Sequence, residues 1–328
     1  MLQRIRQPTT RLLGRFRYPR IANPRTFHKD YNAALEEQSF TLPDGRTMGF
    51  AEYGSLKGTP TFFLHGSPGS RYDGIGLIDI AKKLNIRVIC PDRPGHGLST
   101  FQHNRKLVDY PHDISQLAKF LSVARYNVLG QSGGGPYAVA CAYGSPKTEL
   151  LNVGVVAGIG PPAVLTLKHA GLYTMAALSA VKWFPGVMRS LTNWYLRDDK
   201  RIQKSIRRMS KYLTEEDRAE ITGPDAESMI MAVLKAAYAQ GPDGVIRDGH
   251  IYSSPWGFDL KDVQKEVQLF YGHKDDRTPP VFGRYYKAHL PRAELIEFED
   301  ASHFTIQRHD EKILRKLIGL KEMPVVDV

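Results

Sequence analysis

Apolar runs of five or six residues alternate along most of this chain with stretches whose apolar positions recur every three or four residues. The first spacing suits buried strands and the second suits helices that cover them. Gln38–Leu42, the turn Pro43-Asp44-Gly45 and Arg46–Tyr53 alternate as a β-hairpin does. Thr59–Leu64, Ile86–Cys90 (apolar except Arg87), the run from Val128 to Gln131, Val153–Ala157, Val267–Tyr271 and Glu294–Phe298 read as further strands. Between them the spacing predicts helices around Asp73–Leu84, Asp113–Ser122, Gly133–Tyr143 and Asp310–Ile318. In the second of these, Ile114, Leu117, Ala118 and Leu121 share one face. Strand–helix alternation of this kind predicts an α/β fold, a mostly parallel central sheet with helices on both faces. In such sheets, binding sites lie beyond the carboxyl ends of the strands.

From about Pro161 to Phe258 the pattern turns helical. Trp183, Trp194, Tyr195 and Tyr212 stand there among Lys200, Arg201, Lys204, Arg207, Arg208 and Lys211, which read as a solvated helix face. Thr214-Glu215-Glu216-Asp217 has the form of a helix start, with Thr214 as the cap and acids in the first turn. Met229–Tyr238 has the spacing of a buried helical face. The expected division is a basic arm over 1–37, a core built from 38–160 and 259–328, and a helical cap inserted over 161–258.

The glycine-rich clusters sit where strands end. Val128-Leu129-Gly130-Gln131-Ser132-Gly133-Gly134-Gly135 contains Gly-x-Ser-x-Gly, in which Gly130 and Gly134 leave room for a serine on a sharp strand-to-helix turn. Asp275 follows the strand Val267–Tyr271, and His303 follows the strand Glu294–Phe298. Serine, acid and histidine at three strand ends supply a nucleophile, a base and a group to orient the base. Asp276 competes with Asp275 as the acid, and His96 competes with His303 as the base. His273 has no partner at metal-ligand spacing, and no metal or cofactor is implied.

The order Ser132, Asp275, His303 is that of the α/β-hydrolase fold, which this chain resembles over roughly residues 38 to 320. His65-Gly66-Ser67-Pro68-Gly69 is similar to the family's oxyanion loop, and Asp92-Arg93-Pro94-Gly95-His96-Gly97-Leu98-Ser99 to the loop after the next strand. Gly272 through Pro279 resembles the acid loop, and Ser302-His303-Phe304 the histidine loop. The resemblance implies a capped serine hydrolase without a metal. Ser132 would attack an acyl carbon, His303 would carry the proton and Asp275 would fix the imidazole. The backbone N–H groups of Gly133 and Ser67 would hold the oxyanion, with His65 and Gly66 supporting the loop.

A serine at position 132 argues against the epoxide hydrolases and haloalkane dehalogenases of this fold, which carry aspartate there. The leading expectation is cleavage of a small hydrophobic carboxylic ester, or with less support an amide, through an acyl-enzyme. Proline iminopeptidases are also similar to this chain, but their elbow usually has tryptophan after the serine where Gly133 stands. That activity would need an acidic site for a substrate amine, with Asp198, Asp199, Glu215 and Glu216 as candidates. A non-catalytic binding protein of the same fold is the alternative of a different class.

Composition changes this picture only at the amino terminus. The 328 residues are 42% hydrophobic and 24% charged, which is ordinary for a globular chain. Net charge is +11, and seven Arg and one Lys lie before the first acid, Asp30. Without those eight charges no continuous basic face interleaved with aromatics remains, which argues against nucleic acid as a partner. The Arg-rich, acid-free segment resembles a mitochondrial presequence, although Pro8, Pro19 and Pro24 interrupt any long helix; the alternative is a basic arm on a cytoplasmic protein. Cys90 and Cys141 read as buried small hydrophobes. The uncharged runs Tyr126–Pro146 and Leu150–Leu167 are broken by glycine and proline, so no transmembrane helix is expected. Oligomeric state leaves no mark in the sequence.

Overall fold

Successive side chains of the apolar runs leave on opposite faces of one sheet, and both faces are covered. The computed structural model describes residues 32–211, 213–222 and 224–320. Its strands are β1 (Gln38–Thr41), β2 (Thr47–Gly54), β3 (Thr59–Leu64), β4 (Ile86–Pro91), β5 (Tyr126–Gln131), β6 (Leu150–Val156), β7 (Val267–Gly272) and β8 (Ala293–Phe298). They lie in the order β1-β2-β4-β3-β5-β6-β7-β8. β2 is antiparallel to β1 and β4, and every other pair is parallel. This is the mostly parallel α/β sheet that the strand–helix alternation predicts.

The helices are α1 (Ala33–Glu36), α2 (Ile78–Lys83), α3 (Tyr110–Phe120), α4 (Gly135–Gly144), α5 (Leu167–Trp183), α6 (Pro185–Leu196), α7 (Asp199–Ser210), α8 (Glu215–Ile221), α9 (Pro224–Ala237), α10 (Asp243–Tyr252), α11 (Pro280–His289) and α12 (Asp310–Leu317). Phe62, Val128, Val155 and Leu269 pack on one face of the sheet with Leu117 of α3, Ala138 of α4 and Phe282 of α11. Phe63, Leu129, Val156 and Phe270 pack on the other with Ala81 of α2 and Leu317 of α12. Helices α5 to α10 form the insertion between β6 and β7. There Leu196, Ile202, Ile206 and Met231 make a small cluster apart from the two sheet faces.

Local chemistry moves several element boundaries. The helix expected over 73–84 begins as a 3-10 helix, Arg71–Leu77, where Gly74 and Gly76 weaken the α-helical preference, and becomes α2 afterwards. Ser70 and Asp73 form a capping box that fixes this earlier start. α3 begins at Tyr110 because Pro111 suits a first helical turn, three residues before the expected Asp113. Cys90 and Cys141 are buried and unpaired with each other. The basic arm lies outside the described residues. No helix among the described residues is long and apolar enough to cross a membrane.

Asp113 shows what a buried charge requires. Its carboxylate is 3% exposed and takes two bonds from the Arg46 guanidinium, at 2.7 and 2.9 Å, tying the hairpin to α3. Asp113→Ala leaves the Arg46 guanidinium with only the exposed Asp44 carboxylate as counter-charge, and we expect a loss of about 1–3 kcal/mol. The double variant Arg46→Met, Asp113→Leu is expected to recover most of it in urea titrations. Equal losses in both variants would deny the pair this role.

Candidate active site

Ser132 stands where β5 ends, in a conformation that side chains rarely adopt. Its φ is +52°, and a 3-10 turn over Ser132–Gly134 leads directly into α4. The turn closes only because its neighbours lack side chains: a Cβ on Gly130 would lie 2.3 Å from the Gly134 carbonyl oxygen. One on Gly134 would lie 2.0 Å from the Leu64 carbonyl oxygen. Ile159 N–H donates to the Ser132 carbonyl at 3.1 Å, so the next strand's exit also braces the turn. The strain is held by the packing around it, as it is at functional turns generally.

Two strands along the same edge, the acid and histidine loops are joined by backbone bonds. His273 N–H donates to Phe298 O, and Lys274 N–H to Ala301 O, each at 2.9 Å. They bring Asp275 Oδ2 within 2.8 Å of His303 Nδ1. Asp275 is nearly fully buried and every acceptor position on it is used. Oδ1 takes the N–H groups of Arg277 and Thr278, both at 2.8 Å, and Oδ2 takes the Thr278 hydroxyl at 2.8 Å besides the histidine. Burial alone would raise the Asp275 pKa, but His303 and these donors hold it below the usual carboxylate range. Burial alone would lower the His303 pKa, and Asp275 outweighs it, so the imidazole is more basic than free histidine. With Nδ1–H committed to Asp275, Nε2 is the nitrogen free to accept a proton. Asp276, one residue on, is exposed, and Asp275 is the acid that meets the histidine.

A carboxylate from the insertion holds the residues flanking His303 in the chain. Asp217 is fully buried at the start of α8, where Thr214 caps the helix as expected and takes the Asp217 N–H at 3.1 Å. Asp217 Oδ1 accepts from the Ser302 hydroxyl and from the N–H groups of Phe304 (2.8 Å) and Thr305 (3.3 Å). The first-turn acid is therefore a clamp on the histidine loop, beyond its favourable place in the helix dipole.

The loop after β3 is held from beneath and from the insertion. Asp73 takes the Gly66 N–H at 3.0 Å and the Ser70 N–H at 3.4 Å, and its burial pushes its carboxyl pKa up to about 7. His65 is fully buried. Burial and the nearby Arg93 charge keep it neutral; Nδ1–H reaches the Gly66 carbonyl at 2.9 Å, and Nε2 accepts the Arg93 N–H at 3.1 Å. The Arg93 side chain donates to the carbonyls of His65 and Gly66. Arg93 and Arg105 are both buried, and both are met by Asp248 of α10. Tyr137 of α4 donates to the same carboxylate at 2.7 Å. Burial would raise the Asp248 pKa, but Arg93 and Arg105 outweigh it and hold the group far below the usual range. His96 lies in this cluster, Nε2 at 3.5 Å from Asp248, with burial pushing its pKa down to about 4. It lines the cluster at a different point from the Asp275–His303 pair.

One turn beyond Asp248, Tyr252 reaches the turn after Ser132. A Cβ on Gly133 would lie 2.6 Å from Tyr252 Oη, 2.7 Å from Ser67 Cβ and 3.1 Å from Ser67 N. The Gly133 and Ser67 backbones thus face each other, and a tyrosine hydroxyl occupies the space that a side chain at 133 would need. Burial and Asp248 raise the Tyr252 pKa, so the hydroxyl stays neutral.

The structure brings Asp275 to His303, and Ser67 to Gly133. Ser132 stands on the same sheet edge, and among the described residues no hydrogen bond joins it to His303. Gly66 supports the loop through its N–H, while a Cβ there would meet only ordinary contact 3.7 Å from Ser132 Cβ. Of the acids considered for an amine site, Asp198 lies 3.5 Å from Arg201, Asp199 2.6 Å from Lys235 and Glu216 3.0 Å from Lys274, and Glu215 is exposed. His273 pairs with Glu297 at 2.8 Å. Sequence reasoning missed Thr278, Asp248 and Tyr252.

Asp248→Asn is expected to lower stability at pH 7 by about 3–5 kcal/mol, because two buried guanidinium groups lose their counter-charge. A carboxylate with a depressed pKa contributes stability at neutral pH that is lost as pH falls below its ordinary value near 4. The difference between wild type and variant in urea titrations should therefore narrow on acidification below pH 4. A gap unchanged from pH 7 to pH 3 would contradict this assignment.

Comparison with known proteins agrees with this geometry. The family model described as "Alpha/beta hydrolase family" matches residues 62–315. A proline iminopeptidase of Clostridium botulinum is 24% identical over 268 residues, covering 79% of this chain and 88% of that protein. Among solved structures, a hydrolase from Pseudomonas aeruginosa PA01 superposes with a TM-score of 0.63 at 17% identity, over 86% of this chain and 98% of its own. An esterase from Exiguobacterium antarcticum gives 0.61 at 16%, over 86% and 98%. A glycine-braced serine elbow, a buried acid–histidine pair and a sheet of this strand order meet in one molecule, and the chain belongs to the alpha/beta hydrolase family.

Proposed function

We propose that this hydrolase is a serine hydrolase that cleaves a carboxylic ester of a small hydrophobic substrate through an acyl-enzyme. The observation that carries the reading is the Asp275–His303 bond of 2.8 Å, on the same sheet edge as a serine held at φ +52°. Ser132 Oγ attacks the acyl carbon while His303 Nε2 takes its proton; the carbonyl electrons move onto oxygen. The N–H groups of Gly133 and Ser67 receive that oxyanion between their facing backbones. The intermediate collapses, expelling the alcohol with the proton from His303. Water repeats the sequence on the acyl-enzyme and releases the acid. Asp275 holds the tautomer and stabilises the imidazolium. The Ser132–His303 hydrogen bond forms with substrate in place, as such bonds commonly tighten on binding.

The second reading is an aminopeptidase of the proline iminopeptidase kind, favoured by relatives of that name. Such an activity needs a carboxylate for the substrate amine; Asp217 Oδ2 is without a hydrogen-bond partner but is fully buried, so substrate would reach it only if the insertion opened. Tyr252 beside Gly133 weighs against it, filling the space where that family's elbow usually places tryptophan. A mitochondrial or cytoplasmic address is proposed on the composition of the first 29 residues alone.

Labelling by a fluorophosphonate tests the chemistry. Wild type is expected to label stoichiometrically, and Ser132→Ala not at all. The labelling rate should rise with pH through an apparent pKa above the histidine value of 6.5, because His303 acts as a base only when deprotonated and Asp275 raises its pKa. Asp275→Asn should move that limb down and slow the reaction by on the order of 10⁴. Turnover of alkyl esters with no detectable turnover of prolyl p-nitroanilide supports the ester reading, and turnover of the anilide supports the aminopeptidase. A folded protein that takes no label, or labels equally without Ser132, overturns both.

A further inference from the structure

Most of the surface carries large apolar side chains singly, but one short stretch concentrates them. Among the described residues ten large hydrophobics are exposed, and five of these lie between positions 183 and 194. Trp183, Phe184, Val187, Leu191 and Trp194 are each 55–69% exposed. Val187, Leu191 and Trp194 stand at i, i+4 and i+7 on α6, so they share one face of that helix. Trp183 ends α5 and Phe184 links it to α6, so both directly precede that face in the chain. A concentration of exposed apolar side chains of this kind marks a surface that something covers.

Charge says what covers it. Residues 182–211 contain nine Lys or Arg and two Asp. Lys182 at the end of α5, and Lys200, Lys204, Arg208 and Lys211 along and just after α7, are exposed. Two cations reach the aromatic rings themselves: the Arg201 guanidinium lies 4.2 Å from the Trp194 ring and Lys182 Nζ 5.4 Å from that of Trp183. A second copy of the chain would bring the same positive face against this one. The basic arm, with eight positive charges and no acid before Asp30, would be repelled likewise. Nucleic acid would use the rings for stacking but has no use for Val187 and Leu191 between them. Indole rings and aliphatic side chains on α6 and the end of α5, with cations on the flanking α5 and α7, match the boundary of an anionic bilayer, with rings at headgroup depth and cations on the phosphates.

We propose that the α5–α6 stripe docks this hydrolase on an anionic lipid surface. The stripe adjoins the site: α10, which bears Asp248 and Tyr252, packs against both α5 and α6, with Val181 of α5 2.9 Å from where a Cβ on Gly249 would stand. Docking therefore places the lipid one helix layer from the serine. The proposal is independent of which acyl substrate the site takes.

The three tryptophans make the test specific, since Trp183 and Trp194 are in the stripe and Trp256 is buried. The full chain is mixed with phosphatidylcholine vesicles with and without about one-third phosphatidylserine, and flotation and tryptophan emission are read together. Binding at least about tenfold stronger to the anionic vesicles is expected, weakened by salt, with a blue-shifted emission quenched by brominated acyl chains. Trp183→Ser, Leu191→Ser, Trp194→Ser in one chain should lose at least about tenfold in binding, with esterase activity and thermal midpoint retained. Trp183→Phe, Trp194→Phe should bind and lose the spectral shift. Failure to bind, binding with unshifted tryptophans, or equal binding by the serine variant would overturn the proposal. So would an emission shift produced by self-association without lipid, or by single-stranded DNA in place of vesicles.

Discussion

The Asp248 carboxylate, buried between Arg93 and Arg105, is the constraint on which the site depends. Two guanidinium groups cannot stay buried without a counter-charge, and this one comes from α10 in the insertion. Arg93 in turn holds the carbonyls of His65 and Gly66, which sets the course of the loop carrying Ser67. Tyr252, one turn further along the same helix, packs against the Gly133–Ser67 junction. The insertion is thus a structural part of the site, joined to the loop that carries Ser67 by a charge that cannot be withdrawn cheaply.

The histidine side is built on the same plan. Asp217 of α8 takes three donors from Ser302, Phe304 and Thr305, on either side of His303. Asp275 meets the imidazole itself, with all its acceptor positions filled. The imidazole therefore sits between loops fixed by carboxylates of separate origin, one from the sheet and one from the insertion. Its raised basicity follows from the Asp275 charge outweighing burial. On the proposed reading, preorganisation of this kind would keep donors and base in place before charge develops on the reacting group.

The sheet was legible because strands buried on both faces write themselves as short apolar runs, and the turns at their ends as glycine clusters. The places of Ser132, Asp275 and His303 just after strands were legible for the same reason, each following a run. Boundaries shifted where local chemistry intervened, as with the capping box at Ser70 and Asp73 and the proline at 111. Asp248 and Tyr252 were not found, although Gly244, Asp248 and Tyr252 at four-residue spacing mark one buried face of α10. A charge on such a face is the signal; what it meets, Arg93 and Arg105 more than 140 positions away, is a property of the folded chain alone. Asp217 was read as a first-turn acid and is that, but its hold on the histidine loop bridges 85 to 88 positions. Periodicity within a segment carries no such partner.

The most direct measurement is a crystal structure of the protein after reaction with an alkylphosphonate, whose tetrahedral phosphorus stands for the acyl intermediate. The account predicts phosphorus bonded to Ser132 Oγ and the phosphonyl oxygen within hydrogen-bond distance of both the Ser67 and Gly133 N–H groups. It also predicts His303 Nε2 turned to Oγ, and the Asp248–Arg93 pair unmoved. An adduct on another residue, or a phosphonyl oxygen directed away from Ser67 and Gly133, would contradict it.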